Sequence, residues 1–110
     1  MFGAGGGTSS YQDADSADVI VMWGSNARET HPIFFHHVLT AHRRGARIYV
    51  VDPRRTATAA WAERWLGLNV GTDIALAHAV AREIIHAGLV NTAFVERATS
   101  GFAEIGRAHV

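Results

Sequence analysis

The sequence predicts an α/β fold around a parallel sheet, and three observations carry that prediction. A short apolar run, Val19 to Trp23, breaks sharply at Gly24-Ser25-Asn26 into small and polar residues. Helical periodicity follows, and a second apolar run, Arg47 to Val51, starts almost at once behind it. Strand, helix and strand joined this tightly make a βαβ unit, whose strands run parallel and whose crossover is right-handed.

Asp18 to Trp23 reads as a strand buried on both faces, since its apolar run is continuous and β-branched at the start. Glu29 or Thr30 then opens a helix, with Pro32 accepted in its first turn. Phe34, Phe35, Val38, Leu39 and Ala41 return at helical spacing, while His36, His37, Thr40, Arg43 and Arg44 fall on the other side. The two arginines complement the negative helix end, and Gly45 supplies a left-handed stop. After the strand Arg47–Val51 comes a short helical piece around Ala57 to Ala62, then a third strand at Trp65 to Leu68. The longest helix starts at Gly71-Thr72-Asp73, with Thr72 as N-cap and Asp73 placed where the helix dipole favours an anion. Its apolar side is Ile74, Ala77, Val80, Ala81, Ile84 and Ile85, its polar stripe is His78, Arg82 and His86, and Gly88 closes it. A weaker helix is expected from Asn91 to Arg97.

Composition narrows the function classes. With 110 residues, the chain is one modest domain or a piece of a larger one. Ten basic and ten acidic residues cancel, so no sequence-wide electrostatic grip on nucleic acid or anionic lipid is expected. An anionic ligand has to be held locally, by backbone donors and one or two arginines. There is no cysteine, hence no disulfide, thiolate zinc site or iron–sulfur ligand within these residues. No apolar run is long enough to span a bilayer, so no membrane segment is expected. The opening "MFGAGGGTSS" lacks the features of a signal peptide and suggests that Met1 is internal to a longer protein. Gly3 to Ser10 reads either as a flexible or truncated end or as a small-residue loop approaching a ligand. At the other end, "IGRAHV" resembles the translation of a sequencing adapter, so 105–110 is set aside as a non-native tail.

In open parallel sheets, ligands bind beyond the carboxyl ends of the strands. Three corners are expected there: Gly24-Ser25-Asn26, Asp52-Pro53-Arg54 and Gly71-Thr72-Asp73. Gly24 lets backbone approach a phosphate or ribose, and the helix opening near Thr30 offers N–H donors to an anion. Arg54 can fork two hydrogen bonds onto a phosphate. Asp52 or Asp73 can hold a ribose or the paired N–H donors of a guanine edge, and which takes which part is open. The plain structural alternative makes the glycines turn residues, Asn26 an Asx-turn, Asp73 a cap and Asp52-Pro53 a strand terminator. Without a G-x-G-x-x-G, an ordinary NAD site is disfavoured. His31, His36, His37 and His42 lack the i, i+4 spacing of helical zinc sites, and Arg82 stands between His78 and His86, so no metal ligand is assigned. No catalytic triad or close carboxylate pair stands out.

Four stretches, "FGAGGGTSSY", "ADVIVMWGSNARETHPIFFHHVL", "GARIYVVDPRRTATA" and "NVGTDIALAHAVAREIIHAGL", together resemble the molybdopterin oxidoreductase family, and within it the catalytic subunit of molybdenum-dependent formate dehydrogenases. The resemblance covers Phe2 to Glu104, so that 1–104 reads as part of a Rossmann-like α/β domain. It implies a bis(molybdopterin guanine dinucleotide) cofactor with molybdenum or tungsten, whose guanosine diphosphate tail this segment helps to grip. Carried over by position, the cofactor-binding residues are Gly24, Ser25, Asn26, Glu29, Thr30, Asp52, Pro53, Arg54, Gly71, Thr72 and Asp73, with Thr8, Ser9 and Ser10 near the cofactor. The family's [4Fe–4S] cluster and metal ligand lie in parts this sequence does not contain. The implied parent oxidises formate to carbon dioxide, or runs the reverse. Its implied partners are the rest of the catalytic subunit and electron-transfer subunits, and this segment alone is expected to be inactive. The alternatives are another molybdopterin oxidoreductase such as a nitrate reductase, a non-catalytic nucleotide-binding module, and a non-functional truncated frame. The compartment stays open, with cytoplasm favoured over periplasm.

Overall fold

In the computed structural model, which describes residues 9–104, three strands form one parallel sheet in the order β1 (Val19–Trp23), β2 (Arg47–Val51), β3 (Arg64–Leu66). The chain divides into two compact units, one ending at Asn69 and one beginning at Val70. The first unit holds the sheet together with α1 (Ala27–Thr30) and α2 (Pro32–Arg43); the second holds α3 (Asp73–His86) and α4 (Thr92–Ala98).

Register places the corners of the first unit. Val19 pairs with Arg47 and Trp23 with Val51, so β1 and β2 end side by side. The Gly24 amide extends the ladder by one bond, donating to the Val51 carbonyl at 2.8 Å. Beneath the sheet, the α2 residues Phe35 and Val38 bury against Met22, Ile48 and Val50. Phe34 and Leu39 pack at the margin of the same core, as the helical spacing predicts. Gly45 ends the helix at φ +101°, the left-handed conformation expected of it.

Several expectations need correction. Among the described residues β1 is not covered on both faces: Val19, Val21 and Trp23 are exposed, and within the strand only Met22 is fully buried. An unbroken apolar run therefore overstated its burial, because α2 covers one face only. The helix after β1 opens earlier than Glu29, with a single turn from Ala27, and breaks at His31 (φ −138°, ψ 63°) before α2 resumes at Pro32. That break follows from the proline, which disfavours helical backbone in the residue before it. The helical piece shrinks to a 3-10 turn, Ala59–Trp61, and β3 starts and ends earlier than expected. A 3-10 turn at Tyr11–Ser16, given no element from sequence, packs on α2: the Tyr11 and Phe34 rings lie 5.4 Å apart, and His37 Nδ1 lies 2.9 Å from Asp15 Oδ1, within hydrogen-bond distance.

In the second unit α3 and α4 fall close to their expected spans. Thr72 occupies the N-cap position of α3 without a side-chain bond to its first turn, whereas Asn91 caps α4 by accepting from the Phe94 amide at 3.0 Å. No residue of either helix is buried, and Ile74, Val80 and Ile84 stay exposed. Among the described residues, no helix is long and apolar enough to cross a membrane.

Candidate functional site

The corners after β1 and β2 adjoin because their strands do. At the first, the chain leaves the ladder through Gly24 at φ +58°, a conformation that side chains with a Cβ rarely adopt. A Cβ built there would meet nothing within 4 Å, so the glycine answers to the turn and leaves open space above it. Asn26 follows, half-buried. Its carbonyl oxygen accepts from the Glu29 amide at 3.0 Å, the Thr30 amide at 3.1 Å and the Thr30 hydroxyl at 3.1 Å. The donors expected near Thr30 are therefore already engaged, as is the His31 amide, bonded to the Ala27 carbonyl at 2.9 Å.

Asp52 directly follows β2 and is only 7% exposed, a depth at which a carboxylate needs partners. Its Oδ1 accepts from the Arg54 amide at 2.8 Å, closing a tight turn over Pro53. Its backbone is held from both sides: the amide donates to the Leu66 carbonyl at 3.3 Å, and the carbonyl accepts from the Trp65 indole at 2.8 Å. Pro53 and Arg54 lie exposed beyond it, and the Arg55 guanidinium stands 5.9 Å above the Trp65 ring.

Two residues that sequence reasoning did not single out bind this arrangement together. Thr58 is fully buried; its hydroxyl donates to Asn26 Oδ1 at 2.9 Å and accepts from the Arg28 amide at 3.0 Å. Trp65, which the sequence placed only at the start of a strand, packs against the core and fixes Asp52 through its indole N–H. Nothing local distinguishes Thr58 from a loop threonine, since its partners lie 32 and 30 residues back.

The remaining candidates are placed differently. Ser25 is half-buried beside Gly24 and Asn26, while Glu29 and Thr30 are exposed. Gly71, Thr72 and Asp73 belong to the second unit, and residues 67–70 separate them from the end of β3. Ser9 and Ser10 are exposed next to the first 3-10 turn; Thr8 and the suspected tail 105–110 lie outside the described residues. Two grooves of about 390 and 280 Å³ in the second unit are lined almost wholly by apolar side chains, among them Val80, Ile84 and Leu89. They lack the converging polar groups of a ligand site.

The corner geometry coincides with a family likeness. The sequence pattern of the family described as molybdopterin oxidoreductase matches residues 3–101. The chain belongs to the molybdopterin oxidoreductase family. It is 38% identical to the F420-dependent formate dehydrogenase subunit alpha of Methanocaldococcus jannaschii, over 94% of this chain and 16% of that protein. Formate dehydrogenase H of Escherichia coli is also 38% identical, over 93% of this chain and 14% of that protein. The assimilatory nitrate reductase catalytic subunit of Bacillus subtilis is 36% identical, over 94% and 15%. Among solved structures, acetylene hydratase from Pelobacter acetylenicus superposes with a TM-score of 0.73 at 31% identity, over 84% of this chain and 13% of that one. The chain thus spans about one seventh of the length of these molybdopterin relatives, and membership implies a molybdenum or tungsten pterin cofactor.

Proposed function

We propose that this chain is part of a formate dehydrogenase of the molybdopterin family, and that its corners hold the guanosine diphosphate tail of the cofactor. One observation carries the proposal: two polar corners emerge from adjacent parallel strands at the same height, and Asn26 of the first is bonded to Thr58 in the segment that leaves the second. The donor set fits such a tail. Open space lies over Gly24, Asn26 and Arg54 bring hydrogen-bond donors for phosphate, and the Asp52 carboxylate can accept from ribose hydroxyls or a guanine edge. Gly71, Thr72 and Asp73 join the proposal from their sequence motif, as do Ser25, Glu29, Thr30 and Pro53.

When bound, the cofactor supplies two-electron redox chemistry at its metal. The residues of this chain bind and orient it, and none of them reaches the reacting carbon. With no cysteine here, the thiolates for a metal or a [4Fe–4S] cluster come from other parts of the enzyme. The formate dehydrogenase relatives favour formate as substrate. A nitrate reductase is the second reading, favoured by its own relatives at 36% identity. Cysteine or selenocysteine beside histidine as metal ligand in the intact enzyme would point to formate, and aspartate to some nitrate reductases.

The test is cofactor occupancy in the intact enzyme. Asp52→Asn with Arg54→Ala removes two charged contacts worth about 1.5–3 kcal/mol each, so bound molybdenum and releasable guanine nucleotide should fall at least about tenfold. Unchanged occupancy would reassign both residues to turn formation alone.

A further inference from the structure

We propose that Thr58 is a positioning residue: its buried hydroxyl locks the Asn26 carboxamide with the oxygen turned inward and the amino group presented to the ligand. This deepens the nucleotide-tail proposal and rests on it for the identity of the ligand, but not for the geometry of the lock.

The orientation follows from hydrogen-bond accounting. A hydroxyl carries one donor and can accept as well. The Thr58 oxygen already accepts from the Arg28 amide at 3.0 Å. Its proton must then find an acceptor, because Thr58 is wholly inaccessible to water and an unpaired buried donor is costly. Asn26 Oδ1, 2.9 Å away, is that acceptor. Were the carboxamide flipped, its amino group would face the hydroxyl and the hydroxyl proton would have no partner. The inward oxygen leaves Asn26 Nδ2, with two N–H donors, directed away from Thr58. Donors suit phosphate oxygens or the carbonyl of a guanine edge, and they disfavour a cation.

The same hydroxyl ties three segments. Asn26 stands on the corner after β1, Arg28 in α1, and Thr58 in the segment after β2. Closing loops of 30 and 32 residues onto one atom couples the first corner to the chain that leaves the second. A ligand then meets a preorganised donor, with less side-chain freedom lost on binding.

Guanosine diphosphate is the probe, titrated into the full 110-residue chain while amide exchange is followed by NMR. Thr58→Val keeps the shape and removes the hydroxyl; Thr58→Ser keeps the hydroxyl. In Thr58→Val, exchange at the Arg28 amide should quicken by at least about tenfold and the Asn26 amino signals should broaden. The amides of Ile48 and Val50 should keep their protection, which shows that the sheet is intact. Nucleotide affinity should weaken about tenfold, whereas Thr58→Ser should stay within about threefold of the parent chain in both readouts. Unchanged Arg28 exchange in Thr58→Val overturns the lock. A loosened corner with unaltered affinity overturns the positioning role. If the unsubstituted chain ignores the nucleotide while Thr58→Val frees the corner, the lock stands and the nucleotide proposal falls. Should Thr58→Val not fold, the unsubstituted chain and Thr58→Ser decide: slow Arg28 exchange in both supports the lock, and loop-like exchange in either refutes it.

Discussion

Gly24 shows how a single residue serves the site through the backbone alone. Its φ of +58° lets β1 hand its last ladder bond to Val51 and still turn toward Asn26. Gly24→Ala puts a Cβ into open space but keeps the left-handed backbone, so it should cost roughly 1–2 kcal/mol, read from the midpoint of chemical denaturation. A loss near zero would mean that the turn relaxes to another conformation. Gly67 has the opposite constraint. A Cβ there would lie 2.8 Å from the Trp65 ring, and that ring's N–H holds the Asp52 carbonyl. Gly67→Ala should therefore displace Trp65, seen as a shifted indole N–H resonance, and loosen Asp52. An unmoved resonance would separate Gly67 from the site. Of the residues that make these corners, Gly24, Asn26, Asp52 and Arg54 were legible because turn chemistry is local. Thr58 and Trp65 were not, since their contacts join distant stretches and their residue types are ordinary in a loop or a core.

Among the elements, β1 and β2 differ in what covers them. Ile48 is wholly buried under α2, while Val21 is 54% exposed. Ile48→Ala should cost about 2–5 kcal/mol, and Val21→Ala well under about 1 kcal/mol. Equal losses would show that the exposed face of β1 is covered in solution. Parallel pairing was readable from the tight strand–helix–strand order, α2 from its own periodicity, and its stop from Gly45. Whether a strand is covered on one face or two is set by other segments, and an apolar run cannot report it. The break at His31 was foreshadowed by Pro32, yet proline is equally at home in a first helical turn, so the sequence alone did not distinguish a continuous entry from a kinked one.

At the level of the whole molecule, the role proposed for the chain is holding a cofactor: it offers a sheet that ends in polar corners, a helical unit with Ile74, Val80, Ile84 and Phe94 exposed, and no cysteine. Assayed alone with formate and an artificial electron acceptor, it should show no turnover above buffer, and measurable turnover would place a catalytic group among these residues. Family membership was legible from four motifs in order, whereas the division at Asn69 and Val70 was not, since no glycine- or proline-rich linker marks it. The most direct test is a crystal structure of the intact enzyme with its cofactor bound. We predict one guanosine diphosphate tail within hydrogen-bond distance, about 3.2 Å or less, of Asn26 and of Asp52 or Arg54. A tail lying elsewhere, with these side chains turned to solvent or to protein alone, would contradict the assignment.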